Sequence, residues 1–400
     1  MAELFKHKFN LALIKKLASC LHDSCQKQSL TDKDTFNSEG FVKQASQDLE
    51  DLELKARSVQ ICEALHAYLP TDFVISASII QMSLANPSQD DTIFHDFQPT
   101  GLAGWVLHPV CDYIAQKGME NEAEHMSLAM NLLKACTKRF TAEFAVRPFL
   151  DAYPENCLLI FREWALDTDL HVRRLVSEGT RPYLPWGIRL KAFAKDPKPV
   201  IDLLEILKYD ESEYVRRSVA NSLNDIAKDH PDYVADIAEQ WLTEIGKNDA
   251  KLDHKNRHRM VKHACRTLLK NGHLKVLALF GYPPAQLQTC ELSLNSNTVK
   301  LASETENILN FRLLINSGSK ATAQQALLID YIVHHQKANG TLSAKVFKWK
   351  TATIEAQQTL AFEKNHSFKA ITTRKYYPGE HKLEVLINGK IWASKNFTLL

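Results

Sequence analysis

Two short runs in this chain are near copies of each other at a fixed distance. They are His171-Val172-Arg173-Arg174-Leu175-Val176 and Tyr214-Val215-Arg216-Arg217-Ser218-Val219, offset by 43 residues. A fainter third copy, Arg259-Met260-Val261, places Arg259 42 residues after Arg217. A repeat of this period restricts the chain to stacked, similar units, because one unit cannot bury its apolar face alone and its neighbours must cover it.

The period lies within the window of about 40–47 residues used by HEAT and armadillo units, which are helix pairs stacked into a superhelix. Cys157–Ala165 and Val200–Leu207 read as the first helices of two pairs. Asp167-Thr168-Asp169 and Asp210-Glu211-Ser212 read as their turns and caps. Upstream, apolar residues recur at helical spacing in Phe9–Leu21, Leu52–Tyr68, Asp72–Leu84, Gly104–Gln116, Ala123–Phe140 and Glu155–Leu166. Thr71 is placed to cap the helix that follows it, and the polar stretch from Ala85 to Gly104 reads as a long loop.

Near Gly281-Tyr282-Pro283-Pro284 the pattern changes to alternating runs. Val299–Leu301, Asn310–Ile315, Leu327–Val333, Ala344–Trp349, Gln358–Phe362, Lys382–Ile387 and Ile391–Leu399 are the expected strands. Asn316-Ser317-Gly318-Ser319, Asn339-Gly340, Pro378-Gly379 and Asn388-Gly389 mark the turns. Such a series suggests an immunoglobulin-like sandwich, with Tyr376–His381 resembling a tyrosine corner. The expected fold is mainly α: a HEAT-like α-solenoid over 1–283, then an all-β immunoglobulin-like sandwich over 287–400.

With 45% hydrophobic and 24% charged residues, the chain has the composition of an ordinary soluble protein. It has no long uninterrupted apolar run, so no transmembrane helix is expected. The lysine-bearing N-terminus reads as a first helix rather than a signal peptide. Eight cysteines, at 20, 25, 62, 111, 136, 157, 265 and 290, form no C-x-x-C and read as reduced thiols of a cytoplasmic protein. Charge is uneven. Residues 288–400 hold 14 Lys+Arg against 8 Asp+Glu, and residues 1–287 hold 35 against 39. Both parts can meet DNA only if the basic residues of the helical part gather on one face.

The arginines of the repeat supply such a face. Arg173, Arg174, Arg216, Arg217 and Arg259 recur at equivalent positions of successive second helices, a ladder suited to phosphate oxygens. Equally, one arginine of each pair could bond the aspartates of the preceding turn. Lys262 and His263 extend the basic face. His254 and His258 are spaced i, i+4 but lack a third ligand, so no metal is expected. In the sandwich, the turn carrying Ser317, Gly318, Ser319 and Lys320 suits a phosphate or minor-groove contact.

Acidic and aromatic residues interrupt this basic context. Glu143 precedes Arg147 by one helical turn. Glu178, Arg181 and Trp186 follow Arg174 on and just beyond its helix. Asp225 lies two turns after Arg217. A carboxylate weakens a phosphate-binding face, so it needs a reason: either ion pairing with those arginines or chemistry.

The blocks Thr137–Leu150, His171–Trp186 and Tyr214–Pro231 resemble the AlkC family of bacterial DNA alkylation-repair glycosylases, HEAT-like-repeat proteins related to AlkD. The resemblance covers about residues 100–280 with no departure at the motif positions. The C-terminal sandwich resembles the appendage of one branch of that family, and the first 100 residues carry no usable motif. The resemblance implies excision of 3-methyladenine and 3-methylcytosine from double-stranded DNA without flipping the base. It implies Glu143, Glu178, Trp186 and Asp225 as active-site residues. It also implies Arg147, Arg174, Arg181 and Arg217 as motif arginines that bind DNA, and a DNA-gripping role for the sandwich.

The chemistry is consistent with that implication. N3-alkylation makes the base cationic, so the leaving group needs no general acid. Carboxylates near C1′ stabilise the developing oxocarbenium ion and orient water. The face of Trp186 adds a cation–π contribution of about 0.5–2 kcal/mol. The expectation is a monomeric, monofunctional DNA N-glycosylase without cofactor. The alternative is a non-catalytic HEAT scaffold that binds DNA or protein.

Overall fold

The computed structural model describes residues 5–28, 35–87, 100–244, 251–302, 307–318, 324–370 and 374–400. The chain forms two compact units: Met1–His230 with Ala250–Ala264, and Pro231–Asp249 with Cys265–Leu400.

The first unit is helical. It runs through α1 (Leu11–Lys27), α2 (Ser38–Ala45), α3 (Leu54–Tyr68), α4 (Phe73–Ser83), α5 (Leu107–Glu120) and α6 (Glu122–Thr137). It continues through α7 (Arg147–Ala152), α8 (Pro154–Trp164), α9 (Leu170–Gly179), α10 (Lys191–Lys195), α11 (Lys198–Leu207) and α12 (Glu213–Ile226). After α13 (Pro231–Thr243) of the second unit, α14 (Lys251–Ala264) returns to the first. Asp72 rather than Thr71 caps α4, its carboxylate accepting from the N–H groups of Val74 and Ile75. An ionised cap at the positive helix end outcompetes a hydroxyl one residue earlier. Of the expected loop 85–104, residues 88–99 lie outside the described residues. Its ends are tied where Ala85 N donates to Leu102 O and Leu102 N to Ser83 O.

The repeat is expressed as packing. α8 packs on α9 and α11 on α12, and α12 packs against both α9 and α14. Val172 and Val176 in α9 correspond to Val215 and Val219 in α12 at the repeat offset, and all four are fully buried. Each contributes about 1.5–3 kcal/mol by leaving water. The same register sends the paired arginines of α9 and α12 to matching places.

Among the described residues of the second unit, α13, α15 (Arg266–Lys270) and α16 (Leu274–Leu279) accompany eight strands. These are β1 (Thr289–Leu294), β2 (Thr298–Val299), β3 (Ile308–Asn316), β4 (Gln325–Gln336), β5 (Leu342–Ile354), β6 (Thr359–Ser367), β7 (Gly379–Ile387) and β8 (Lys390–Leu399). One sheet is ordered β1-β3-β6 and the other β2-β8-β7-β4-β5. All pairings are antiparallel except β2 with β8. β1 was absent from the sequence expectation because Thr289–Leu294 buries only Leu292 deeply, leaving little alternation to read. The core gathers inward-facing residues of both sheets, among them Phe311, Leu313, Ile329, Val333, Val385 and Phe397.

The expected Asn388-Gly389 hairpin is present, with φ of 48° and 79° at its two residues. Asn388 also donates to Pro283 O and Ala326 O, so it fixes the strand entry as well as the turn. The tyrosine corner is replaced by another link. Among the described residues no Tyr376 or Tyr377 hydroxyl bond is formed; the His381 ring bonds Tyr377 O at 3.1 Å instead.

Candidate active site

The first arginine of each repeat pair is used by the fold. Arg173 donates Nε and Nη2 to the two oxygens of Asp210, at 2.6 and 3.1 Å. Its Nη1 donates to the carbonyls of Asp167 and Thr168. Arg216 repeats the arrangement on the next turn, donating to Asp210 O and Glu211 O, both at 2.7 Å, and to Glu213. Both are deeply set and occupied by protein acceptors, which corrects the expectation that they reach phosphate. They tie each helix to its preceding turn.

The second arginines diverge. Arg174 turns inward, donating Nη1 to Glu143 at 2.6 Å and to Thr141 at 3.1 Å. Its guanidinium also lies 5.1 Å from the ring centre of Tyr214. Arg217 and Arg259 are exposed and have no hydrogen bond or ion pair among the described residues. They flank a notch of about 210 Å³ whose lining includes Met260 and His263. The His263 ring reaches Asn221 at 3.3 Å. Lys262 is exposed on the same helix.

Arg147 and Arg181 are also internal, against expectation. Arg147 starts α7 fully buried and donates to the carbonyls of Gly179, Arg181 and Ile188. Burial, with Arg181 beside it, lowers its guanidinium to about 10. It pins both ends of the loop 179–188 and, being fully buried, is not presented to DNA. Arg181 joins two carboxylates, donating Nη1 to Glu178 and Nε to Asp225, the latter at 2.8 Å.

These contacts gather the three predicted carboxylates into one knot. Glu178 is 5% exposed and accepts from Arg181 and from Ser218 Oγ, the latter at 2.6 Å. Ser218 itself accepts from Ser177 at 2.7 Å. Burial opposes the charge of Glu178, but Arg174, Arg181 and the Ser218 hydroxyl outweigh it and hold the carboxyl below its usual range. Asp225 is 2% exposed and accepts from Arg181 and Lys228, each at 2.8 Å. Glu143 accepts from Thr141 and Arg174.

Trp186 is held differently. The tryptophan is 68% exposed and its backbone has φ of 68°, a left-handed conformation that a bulky side chain rarely adopts. The conformation costs on the order of 1–3 kcal/mol and persists because the loop is fixed around it. Besides the Arg147 bonds, Gly187 N donates to Leu184 O and Leu190 N to Pro182 O. A large aromatic held in solvent at that cost is a functional signal.

Glu143, Glu178, Arg181 and Trp186 line a cleft of about 840 Å³. Its remaining walls are mostly carbon, with Leu54 and Val59 of α3, Trp105, Phe140 and Phe144 among them. Ser58, His108 and Asp112 also line it, but the hydroxyl and the carboxylate both meet His108 Nδ1, at 2.9 and 3.3 Å. Two partners on one ring nitrogen do not form a proton relay through the ring. Asp225 is absent from the lining and communicates through Arg181.

Two participants escaped sequence reasoning. Ser218 occupies the place of Leu175 in the preceding copy, so a polar residue at a buried repeat position was the available signal. The walls from α3 and α5 carried no motif. In the sandwich, Ser317 is 2% exposed and donates to Glu355 O, so its side chain is not presented to DNA as expected. Gly318 adopts φ of 65° and donates to Asn316. Ser319 and Lys320 lie outside the described residues. Among the described residues there is no group of three or more His, Cys, Asp or Glu able to hold a metal.

Residues 289–400 match the family model described as the C-terminal Ig-like domain of the uncharacterised protein YhaZ. Over 352 residues the chain is 37% identical to the uncharacterized protein YhaZ of Bacillus subtilis (strain 168), covering 88% of each protein. Among solved structures it is similar to the alkylpurine DNA glycosylase AlkC of Pseudomonas fluorescens bound to DNA containing an abasic site analog. That similarity spans 100% of both chains at 31% identity and a TM-score of 0.75.

Proposed function

The chain belongs to the AlkC family of DNA alkylation-repair glycosylases, in the branch with a C-terminal immunoglobulin-like domain, and from that membership we propose that it excises cationic alkylated bases from double-stranded DNA. The substrates proposed are 3-methyladenine and 3-methylcytosine. The base is not flipped into a pocket, and the enzyme is a monofunctional hydrolase acting as a monomer in the cytoplasm. No described helix is long and apolar enough to cross a membrane. The proposed division is a glycosylase region over 1–283 and a DNA-gripping sandwich over 287–400.

The observation that carries this reading is the carboxylate knot beside a strained, exposed tryptophan. Ion pairing alone accounts for Glu143, Glu178 and Asp225. It does not account for holding Trp186 in solvent at a left-handed φ, nor for opening a cleft onto two of the carboxylates. A scaffold needs neither.

In the proposed reaction the C1′–N bond breaks and its electron pair neutralises the base. The oxocarbenium ion that remains is stabilised by the carboxylate oxygens of Glu143 and Glu178 that open on the cleft, with Asp225 holding Arg181 in place behind them. Water adds to C1′ and its proton passes to a carboxylate or to solvent. Arg174, Arg181 and Ser218 hold those carboxylates ionised and oriented before substrate arrives. Trp186 stacks against the cationic lesion. Arg217 and Arg259, with Lys262 and His263, take phosphate contacts. The sandwich turn that begins at Ser317 meets DNA without the Ser317 hydroxyl, which donates to Glu355 O.

Glu178→Gln and Asp225→Asn keep the size of each side chain and remove its charge. Single-turnover excision falls by about 10²-fold or more in each, while affinity for abasic-analogue DNA is unchanged or tighter. Near-wild-type rates in both variants would reject the mechanism.

A further inference from the structure

The two sheets of the sandwich end side by side. β5 closes one sheet and β6 the other, and among the described residues neither has a strand paired to its outer edge. The two edges touch. Lys350 Nζ on β5 lies 4.2 Å from the ring centre of Phe362 on β6, and the rings of Phe347 and His366 are 4.7 Å apart.

Core-facing positions along these edges carry lysines. Lys345 stands opposite Val333, Lys350 opposite Ile329 and Lys364 opposite Phe311, and all three partners are fully buried. β5 holds Lys345, Lys348 and Lys350, all exposed, and no acid. Arg374 joins them, bonded to the His335 ring at 2.7 Å. Among the described residues the ion pairs of the sandwich are those of Glu384 with His334 and Lys382, and none involves these cations. One inward charge keeps an edge strand from pairing with another chain. Three on facing edges, with Arg374 beside them, repel one another and create a field that an anion relieves.

The row has a length and a direction. Lys345 and Lys350 are about 17 Å apart along an extended strand. That is close to the span of about five phosphates on one strand of a duplex. The row begins near the turn from β5 to β6, where Glu355 O accepts from Ser317, and runs away from it. A duplex that meets the sandwich at Ser317 continues along the same edge. The rings of Phe347 and Phe362 are covered by the ammonium groups of Lys345 and Lys350, which favours a phosphate backbone over unpaired bases that need an open ring to stack on.

We propose that the β5–β6 edge binds the phosphate backbone of duplex DNA independently of any lesion, holding the duplex beyond the damaged site. This rests on the reading of the chain as a glycosylase whose sandwich meets DNA. The edge acts on affinity and not on bond breaking.

The experiment sets the full chain beside the triple variant Lys345→Gln, Lys350→Gln, Lys364→Gln, with its melting temperature as the check on folding. On a long undamaged duplex, the slope of log affinity against log salt falls by about 2.7 in the variant, or about 0.9 for each lysine. Single-turnover release from a methylated duplex at saturating enzyme stays within twofold. The triple Lys→Arg variant keeps the wild-type slope. If the glutamine variant melts early, Lys345→Gln alone carries the test, with a slope lowered by about 0.9. An unchanged slope overturns the inference: with aggregation it leaves the lysines as guards of the edge, and with lost binding to anionic phospholipid vesicles it leaves a lipid surface. Slower release at saturating enzyme also overturns it, because the lysines then act at the lesion. A wild type that shows the slope change but releases no base keeps the inference and loses the glycosylase reading.

Discussion

The buried polar clusters around Glu178 in one unit and around His335 in the other answer burial in opposite ways. Around Glu178 the buried carboxylates are paired with the guanidiniums of Arg174 and Arg181, while Arg147 beside them rests on carbonyls. The carboxyl is held below its usual range, and the guanidinium of Arg181 is held above its own because Glu178 and Asp225 outweigh burial. In the sandwich, His335 and His366 are each 7% exposed and face Arg374, Lys345 and Lys364, with His381 near His335. Among the described residues no acid is paired with either ring. Burial first, and those cations second, push His335 to about 3 and His366 to about 4. The first cluster keeps its charge because it is paired; the second gives it up. Paired burial leaves a fixed field available for chemistry, whereas neutral burial leaves only a core.

Acid separates the two. The histidines have folded values below their unfolded value of about 6.5, so their contribution is complete above that pH. It is lost as pH falls through the window from about 6.5 to 3, by a few kcal/mol in total. Glu178 is also depressed, but from the carboxylate range, so its contribution persists until pH falls below about 4.5. Acidification from pH 7 to 5 should therefore weaken the sandwich while the carboxylate knot holds. Amide exchange measured along that titration would show β4, β6 and β7 losing protection before α9 and α12. Simultaneous loss would break the contrast.

The arginine pairs sharpen the same distinction between groups the fold uses and groups it leaves free. Arg173→Ala strands Asp210, which is 4% exposed, and should lower stability by about 3–5 kcal/mol without changing the salt dependence of DNA binding. Arg217→Ala should leave the melting temperature in place and reduce the slope of log affinity against log salt by about 0.9. An unchanged slope in Arg217→Ala would remove the exposed notch from the DNA-binding face.

The smallest effect concerns Trp186. Asparagine tolerates the left-handed backbone far better, so Trp186→Asn should raise stability by up to about 1 kcal/mol while slowing excision. Stability that falls instead would show that the indole supports the loop.

The sequence reading was strongest where one element decides the outcome. A single repeat offset located α9 and α12 and matched their buried valines. Alternation with Asn-Gly turns located the hairpin at Asn388. It was weakest where a partner is distant. Arg147 stands before a proline at a helix start and reads as an exposed cation. Its burial depends on carbonyls up to 41 residues away, reached only when the loop 179–188 folds back. Arg181 reads as a phosphate ligand until Asp225, 44 residues on, arrives beside it. Glu143, Glu178 and Asp225 were found as types, but Ser218 and the walls from α3 and α5 were not. No local pattern marks a side chain whose role is to face a cleft closed by another element.

Release of free base from methylated duplex DNA by the wild-type chain, followed by chromatography and mass spectrometry, bears on the glycosylase assignment without intermediaries. The expected result is enzyme-dependent appearance of 3-methyladenine and 3-methylcytosine, with abasic sites left in strands that stay intact until treated with base. Binding to the methylated duplex with no free base above the heat-released background would contradict it, and would leave the carboxylate knot as a structural device in a DNA-binding scaffold.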